Sequence, residues 1–336
     1  MRTYTAWPGR GLASLNQKEA DPLPLGPGEV RVRVRAMSLN YRDLMILEGS
    51  YGLPEAEMVP VSDGAGEVIE VGAGVEGWSV GDRVIGSCLP AWTSGPMPAD
   101  VRRGALGVGG LGMLSQEVVM PEGAWVKAPA HLDFEEASTL PCAGVTAWHA
   151  LFGSTPYAPA DWVLLQGTGG VSIWALALAR AAGLRAVVTS SSEAKLDRAR
   201  QLGAAGAVRY ANNPDWAQEA RAATGGVGFD RVLEVGGRDT SAPSLTALRP
   251  GATIAVIGGL SGFEGSISSL QLILGGLSMV GIYMGSTDHL KALVRFAEAH
   301  RIRPIVDRSF GFDEAPEAYA YLKSGKHFGK VTISLD

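Results

Sequence analysis

The chain has 336 residues, 46% of them hydrophobic and 19% charged, and a formal net charge of −5. That length bounds the fold at one large or two ordinary domains with a sizeable core, and the acidic balance argues against a general nucleic-acid binder. Only two cysteines, Cys88 and Cys142, are present, which excludes a disulfide framework and a four-cysteine zinc lobe.

The first residues, Met1 to Pro8, lack the apolar core of a signal peptide. No stretch reaches the roughly 18 apolar residues that span a membrane, so a cytoplasmic location is expected. Residues 1–127 read as mostly β. Residues 29–36 alternate valine with arginine, which predicts a half-buried strand with its arginines on a solvated face. Further strands are expected over 59–71 and 82–85, set off by glycine-rich turns. Residues 86–115 are rich in glycine and proline and have little periodicity. They read as a long loop of the kind that often covers a functional site, with Trp92 a candidate lining residue. Strand character returns over 115–126. A helix is expected within 133–153, with Asp133 as N-cap and Glu135 and Glu136 in its first turn.

The rest of the chain is organised around 161–192. An apolar run ending at Gln166 predicts a strand buried on both faces. Gly167-Thr168-Gly169-Gly170 follows at once, then an Ala/Leu-rich run long enough for a helix, and a second apolar strand over 186–189. This is a βαβ unit with a glycine turn where a dinucleotide pyrophosphate would sit, close to backbone N–H groups at a helix start. Ser172 stands where the third glycine of the fingerprint would be, and a merely structural βα turn is the other reading. Helices are then expected over 193–202, 216–224 and 241–248, alternating with strands over 207–210, 231–235 and 252–257. A helix over 270–274, a strand over 278–284, a helix over 288–300 and a strand–helix–strand tail over 305–335 complete the chain. Such alternation predicts an α/β fold with a parallel sheet covered on both faces.

The order of the blocks points further. Asn40-Tyr41-Arg42-Asp43-Leu44, the runs 61–68 and Gly81-Asp82-Arg83-Val84, the run 140–147, the glycine turn and the terminal 325–331 resemble the medium-chain dehydrogenase/reductase superfamily. They are most similar to its zinc-independent NADPH:quinone oxidoreductase-like branch. The resemblance covers essentially the whole chain. It implies a GroES-like β domain over 1–126, completed by 287–336, and a Rossmann domain over 127–286. It also implies, commonly, a homodimer in which strand 278–284 pairs with its two-fold mate.

Zinc-dependent members carry a Cys where this chain has Asn40, a His where it has Ser62, and a Cys at Cys142. Only the last is retained, and Asp63 matches a carboxylate beside the lost histidine. A tetrahedral site needs three good ligands and a water, so the resemblance implies no catalytic metal. Carbonyl polarisation then falls to hydrogen-bond donors. Asn40 and Asp43 match polar cleft positions of quinone reductases, although either could simply cap a helix. Tyr51 matches a tyrosine proposed as proton donor in related 2-enoyl-thioester reductases, although ring packing is an equal reading. Asp63 joins this candidate catalytic set, and Thr146 matches a position that faces the nicotinamide.

Cofactor contacts are implied for Gly167, Thr168, Gly169, Gly170 and Val171, for Gly258, and for Lys330, where the family places a basic residue near the phosphates. The second strand ends in Thr189-Ser190-Ser191-Ser192, with no acid before Glu193. NAD-binding units usually carry an acid at that point. Ser190, Ser191, Lys195 and Tyr210 match groups that hold a 2′-phosphate, which implies NADP(H). A plain helix cap is the alternative for the serines, and Glu193 is the residue that could turn to the ribose. The expected activity is NADPH-dependent reduction of a small quinone or α,β-unsaturated carbonyl, with no membrane or nucleic-acid partner. An alcohol dehydrogenase acting without zinc is the first alternative. A nucleotide-binding redox sensor without catalysis is the second.

Overall fold

Alternating valine and arginine does build a strand. In the computed structural model, which describes residues 1–53, 55–102, 104–153 and 156–335, the chain opens with β1 (Arg2–Thr5), β2 (Asn16–Glu19) and β3 (Glu29–Leu39). Val30, Val32 and Val34 are buried along one face of β3. The arginines on the other face are more than solvated. Arg31 is paired with Glu70 at 2.8 Å and Arg35 with Glu67 at 2.6 Å. Next come α1 (Tyr41–Leu47), β4 (Asp63–Val71), β5 (Arg83–Gly86), β6 (Glu117–Pro121), β7 (Trp125–Lys127) and α2 (Phe134–Ser138). Asp133 caps α2 as expected, its carboxylate accepting from the Glu136 N–H at 2.8 Å. The helical stretch expected within 133–153 is present as two α-helices, α2 and α3 (Val145–Phe152), joined through a π-helical turn at Leu140–Gly144.

The βα alternation then follows: β8 (Trp162–Gln166), α4 (Gly170–Ala181), β9 (Arg185–Ser190), α5 (Glu193–Gln201), β10 (Gly206–Arg209), α6 (Trp216–Ala222), β11 (Phe229–Glu234), α7 (Ser241–Ala247), β12 (Leu248–Val256), α8 (Ser269–Gly275) and β13 (Ser278–Gly281). All six strands are parallel, in the order β10-β9-β8-β11-β12-β13. This is a doubly wound sheet whose strand order reverses between β8 and β11. Leu164, Val187, Val232 and Ile254 on four adjacent strands are completely buried in its core, as parallel strands covered on both faces require.

The chain closes with α9 (Thr287–Ala299), β14 (Val306–Gly311), α10 (Ala315–Lys323) and β15 (Lys330–Ser334). β14 and β15 extend the β3 sheet, ordered β14-β15-β3-β4-β5-β7, with β6 also on β3. Two compact units result, Met1–Val145 with Gly285–Asp336, and Thr146–Met284. The first boundary therefore falls at 145/146 rather than 126/127. The reason is that 127–145 is tied to the β unit: His131 Nε2 lies 2.8 Å from the Ile302 carbonyl, and the Cys142 N–H donates to Asp63.

Gly86 closes β5; beyond it, the described residues of 87–115 form no strand or α-helix of their own, and Arg103 lies outside the described residues. They are not a loose cover. Leu89, Leu106, Met113 and Leu114 are completely buried or nearly so. Trp92 is packed rather than free to line a cleft: its indole N–H donates to Gly95 and its ring meets His289 edge-on. No helix among the described residues is long and apolar enough to cross a membrane.

Candidate active site

In the β unit, three strand ends converge. Ser38 of β3 pairs with Asp63 of β4, and Leu39 with Val331 of β15. This register puts Asn40, Asp63 and Lys330 side by side. Asn40 is extended, which ends β3 and caps α1, and its backbone N–H donates to Asp43 Oδ2 at 2.8 Å. The cap thus fixes Asp43 at the site, so the capping and functional readings of these two residues do not compete.

Lys330 Nζ donates to Asn40 Oδ1 at 2.5 Å and to the Leu39 carbonyl at 2.7 Å. Lys330 is buried, 3% exposed, and its ammonium is committed to this cluster rather than standing free for a phosphate. The Asn40 amide Nδ2 reaches back to the Ser38 carbonyl at 3.5 Å. Asp63 Oδ1 accepts from Ser62 Oγ at 2.6 Å and Oδ2 from the Cys142 N–H at 3.1 Å. Cys88 Sγ donates to the Pro141 carbonyl at 3.0 Å.

Burial dominates the electrostatics of this cluster. It pushes the Asp43 carboxyl up to about 6 against the pull of Arg42, with Asp63 adding in the same direction. It raises Asp63 against Lys330, and lowers Lys330 against Asp63. The Cys142 thiol is pushed up to about 12 by burial and by Asp63.

Arg42 is a member that sequence reasoning passed over. It is buried, donates through Nη1 to the Leu106 carbonyl at 3.0 Å, and has its guanidinium 5.6 Å from the Tyr51 ring. Arg102 holds Tyr51 from elsewhere, through the Tyr51 carbonyl at 2.8 Å and the ring at 5.3 Å. Tyr319 of α10, fully buried, faces the charges of Asp43 and Arg42. Among the described residues, no group of three His, Cys, Asp or Glu is placed to hold a metal ion.

In the second unit, the glycine turn joins β8 to α4. Gly167 has φ 72°, a conformation that favours glycine, and a Cβ at Gly167 or Gly169 would enter open space. Gly169 is the N-cap of α4 and makes no side-chain cap bond. The first N–H groups of Gly170, Val171 and Ser172 therefore suit an anion. Ser172 explains its own presence: its hydroxyl donates to the Gln166 carbonyl at 2.6 Å, tying helix to strand. Thr168 is buried beside the turn. Thr146 is buried near the start of α3, and Gly258 follows β12 with its N–H on the Glu234 carbonyl.

Beyond β9, Ser190 Oγ accepts from the Ser192 N–H at 3.2 Å, and Ser192 caps α5 by accepting from the Lys195 N–H. The cap reading thus holds for Ser192, while Ser190 and Ser191 precede it. Glu193 pairs with Arg200 at 2.9 Å. Arg209 donates to the Ser191 carbonyl at 3.3 Å and brings an unforeseen cation to the serines. Tyr210, next to it, is 43% exposed.

Residues 26–130 match the family model described as alcohol dehydrogenase GroES-like domain, and 170–299 that described as zinc-binding dehydrogenase. A zinc-type alcohol dehydrogenase-like protein of Schizosaccharomyces pombe is 42% identical over 335 residues, covering 97% of this chain and 96% of that protein. The crystal structure of an NAD-dependent alcohol dehydrogenase has a TM-score of 0.90 at 33% identity, with both chains covered completely (100%). That of a quinone oxidoreductase from Pseudomonas syringae pv. Tomato DC3000 has a TM-score of 0.83 at 25% identity over 99% of each chain. A GroES-like β unit, a doubly wound unit with its glycine turn, and matches along nearly the full length lead to one conclusion: the chain belongs to the medium-chain dehydrogenase/reductase superfamily of oxidoreductases.

Proposed function

We propose that this oxidoreductase works without zinc and uses NADPH to reduce quinones or α,β-unsaturated carbonyls. The observation that carries the reading is the donor set around Asn40. Zinc needs thiolate, imidazole or carboxylate ligands. Here Asn40 Oδ1 accepts from an ammonium, both Asp63 oxygens accept hydrogen bonds, and the Cys142 thiol is held toward its protonated form by burial and Asp63. Ser62 offers only a hydroxyl. These residues do not fit the metal that the family model's description implies.

A nicotinamide cofactor does fit, at the glycine turn. Gly167, Thr168, Gly169, Gly170 and Val171 would hold the pyrophosphate, with Thr146 and Gly258 toward the nicotinamide end. Ser190, Ser191, Lys195 and Tyr210 would hold a 2′-phosphate. The Glu193–Arg200 pair supports this choice, because it gives the one nearby acid a partner other than a ribose. When bound, the reduced cofactor supplies a hydride. The chain's own residues orient the carbonyl and provide the proton. In this reading Asn40, Asp43 and Asp63 form the orienting set. Lys330 is their fixed counter-charge, and Tyr51, its ring held by Arg42 and Arg102, donates the proton.

A second reading, an alcohol dehydrogenase using NAD, is favoured by the similarity to the NAD-dependent enzyme. The apolar, exposed face of α8 and the edge strand β13 support a homodimer, and a cytoplasmic location belongs to the same proposal. The test is NADPH oxidation with 9,10-phenanthrenequinone, an enone and an aldehyde in parallel, beside alcohol oxidation with NAD⁺. Turnover with the quinone or enone is expected, with NADPH bound at least ~tenfold more tightly than NADH, about 1.4 kcal/mol. Lys195→Ala should erase most of that preference. Alcohol oxidation that depends on one zinc per chain and is lost on chelation would overturn the proposal.

A further inference from the structure

The last residue of β11 is a carboxylate that the proposed chemistry does not use. Glu234 is completely buried (0% exposed), and donors converge on it. Oε1 accepts from the N–H groups of Gly236 at 2.8 Å and Gly237 at 2.9 Å, and from the Thr240 hydroxyl. Oε2 accepts from Gln166 Nε2 at 2.7 Å and from the Ser244 hydroxyl. Gln166 in turn accepts, through Oε1, from the Val235 N–H at 3.1 Å and the Gly236 N–H at 3.3 Å.

The place of this pair matters. Gln166 ends β8 immediately before Gly167, and Glu234 ends β11, so the Gln166–Glu234 contact spans the point where strand order reverses. In open α/β sheets ligands bind outside the carboxyl ends of the strands at that reversal. The 235–237 turn is also clamped to the loop after β12. The Ser261 N–H donates to Gly236 at 2.8 Å and the Arg238 N–H to Gly262 at 2.9 Å. Gly237 has φ 86°, and a Cβ there would sit 2.3 Å from the Gly262 carbonyl oxygen. The ends of β8, β11 and β12 are thus locked by one network with Glu234 at its centre.

We infer that Glu234 is a positioning residue for the dinucleotide. Through Gln166 and the 235–237 turn it fixes the spacing between the glycine turn and the neighbouring strand ends, so the receiving backbone groups are set before the ligand arrives. The inference rests on the reading of 167–170 as a dinucleotide turn. Preorganisation of this kind lowers the ordering cost of binding, and a buried polar network acts as a unit only when every member is satisfied.

The test exploits the donor–acceptor match. Glu234→Gln sets an amide N–H against Gln166 Nε2. Gln166→Glu sets one carboxylate against another. The double variant Gln166→Glu/Glu234→Gln restores the match with the roles exchanged, and the Ser244 hydroxyl can turn to suit. Kd for NADPH and for NADH is measured by fluorescence titration well below each variant's melting temperature, alongside thermal melts. Each single variant should weaken NADPH binding at least ~tenfold, and the double variant should recover to within about threefold of the parent. Should a single variant fail to fold, Ser244→Ala removes one donor without adding a mismatch and should still weaken binding about threefold. Variants that lower the melting temperature but leave Kd unchanged would overturn the positioning role. So would a double variant that folds stably without regaining affinity. A parent protein that binds neither dinucleotide would instead sink the reading of the glycine turn, and this inference with it.

Discussion

Asp43 holds its proton up to about pH 6 because it is buried, and the unfolded chain releases it near 3.8. Between those values the native state binds more protons than the unfolded state, so this residue makes stability fall as pH rises, and its contribution is flat above the window. The groups that face it are Arg42, Asp63 and Lys330, with Tyr319 from α10. Asp43→Asn removes the titration. The unfolding free energy of the parent, minus that of the variant, should fall by up to about 3 kcal/mol between pH 4 and 6.5. Chemical denaturation across that range measures it, and a pH-independent difference would show that Asp43 ionises as a surface acid does. Single residues were legible where their partners are close in sequence. Asp133 as a cap needs only Glu136, three residues on. Lys330 has its partner Asn40 290 residues away, and no local pattern could reveal that its ammonium meets an amide rather than a phosphate. Gln166 and Glu234 did leave a signal, a polar residue closing an apolar strand, but its meaning depends on which strands lie side by side.

Strands and helices read well from periodicity, because burial on one or both faces is what the pattern encodes. The lapses are at ends, where hydrogen bonding decides. The 278–284 strand stops at Gly281, where pairing with β12 ends. One element departs from the rule that apolar faces are covered: α8 has no buried residue, with Leu270 63%, Ile273 74% and Leu274 77% exposed, and Met279 of the edge strand β13 is 38% exposed. An apolar helix and an open sheet edge are hazards for a lone chain. A second copy meeting the same surface in an isologous contact would cover both. Light scattering at micromolar concentration should therefore give a dimer mass, and Ile273→Glu with Leu274→Glu should give a monomer. A parent chain that is monomeric would leave this face without a role in self-association.

At the level of the whole molecule, the βαβ alternation was enough to foresee a parallel sheet, since parallel strands need crossovers and right-handed ones leave few topologies. The return of the last residues to the first sheet was implied by resemblance alone. Periodicity shows that β15 is a strand and says nothing about its pairing with β3. The 86–115 segment was the least legible part. Its buried residues follow no period because no regular backbone spaces them, so an interior segment looked like a surface loop. That segment has a consequence for the clock of the native state. The amides of Leu106, Gly107, Met113 and Leu114 donate to Cys88, Leu111, Val61 and Pro60, and their side chains, Gly107 aside, are sealed inside. Amides exchange with solvent only when their bonds open, and interior bonds open rarely. In deuterium the stretch should split in two. The exposed residues 93–95 and 97 should label within seconds, while 106, 113 and 114 should label as slowly as the strands of β3 and β4, orders of magnitude later. Uniformly fast labelling would mean that the segment breathes apart from the sheet it fills.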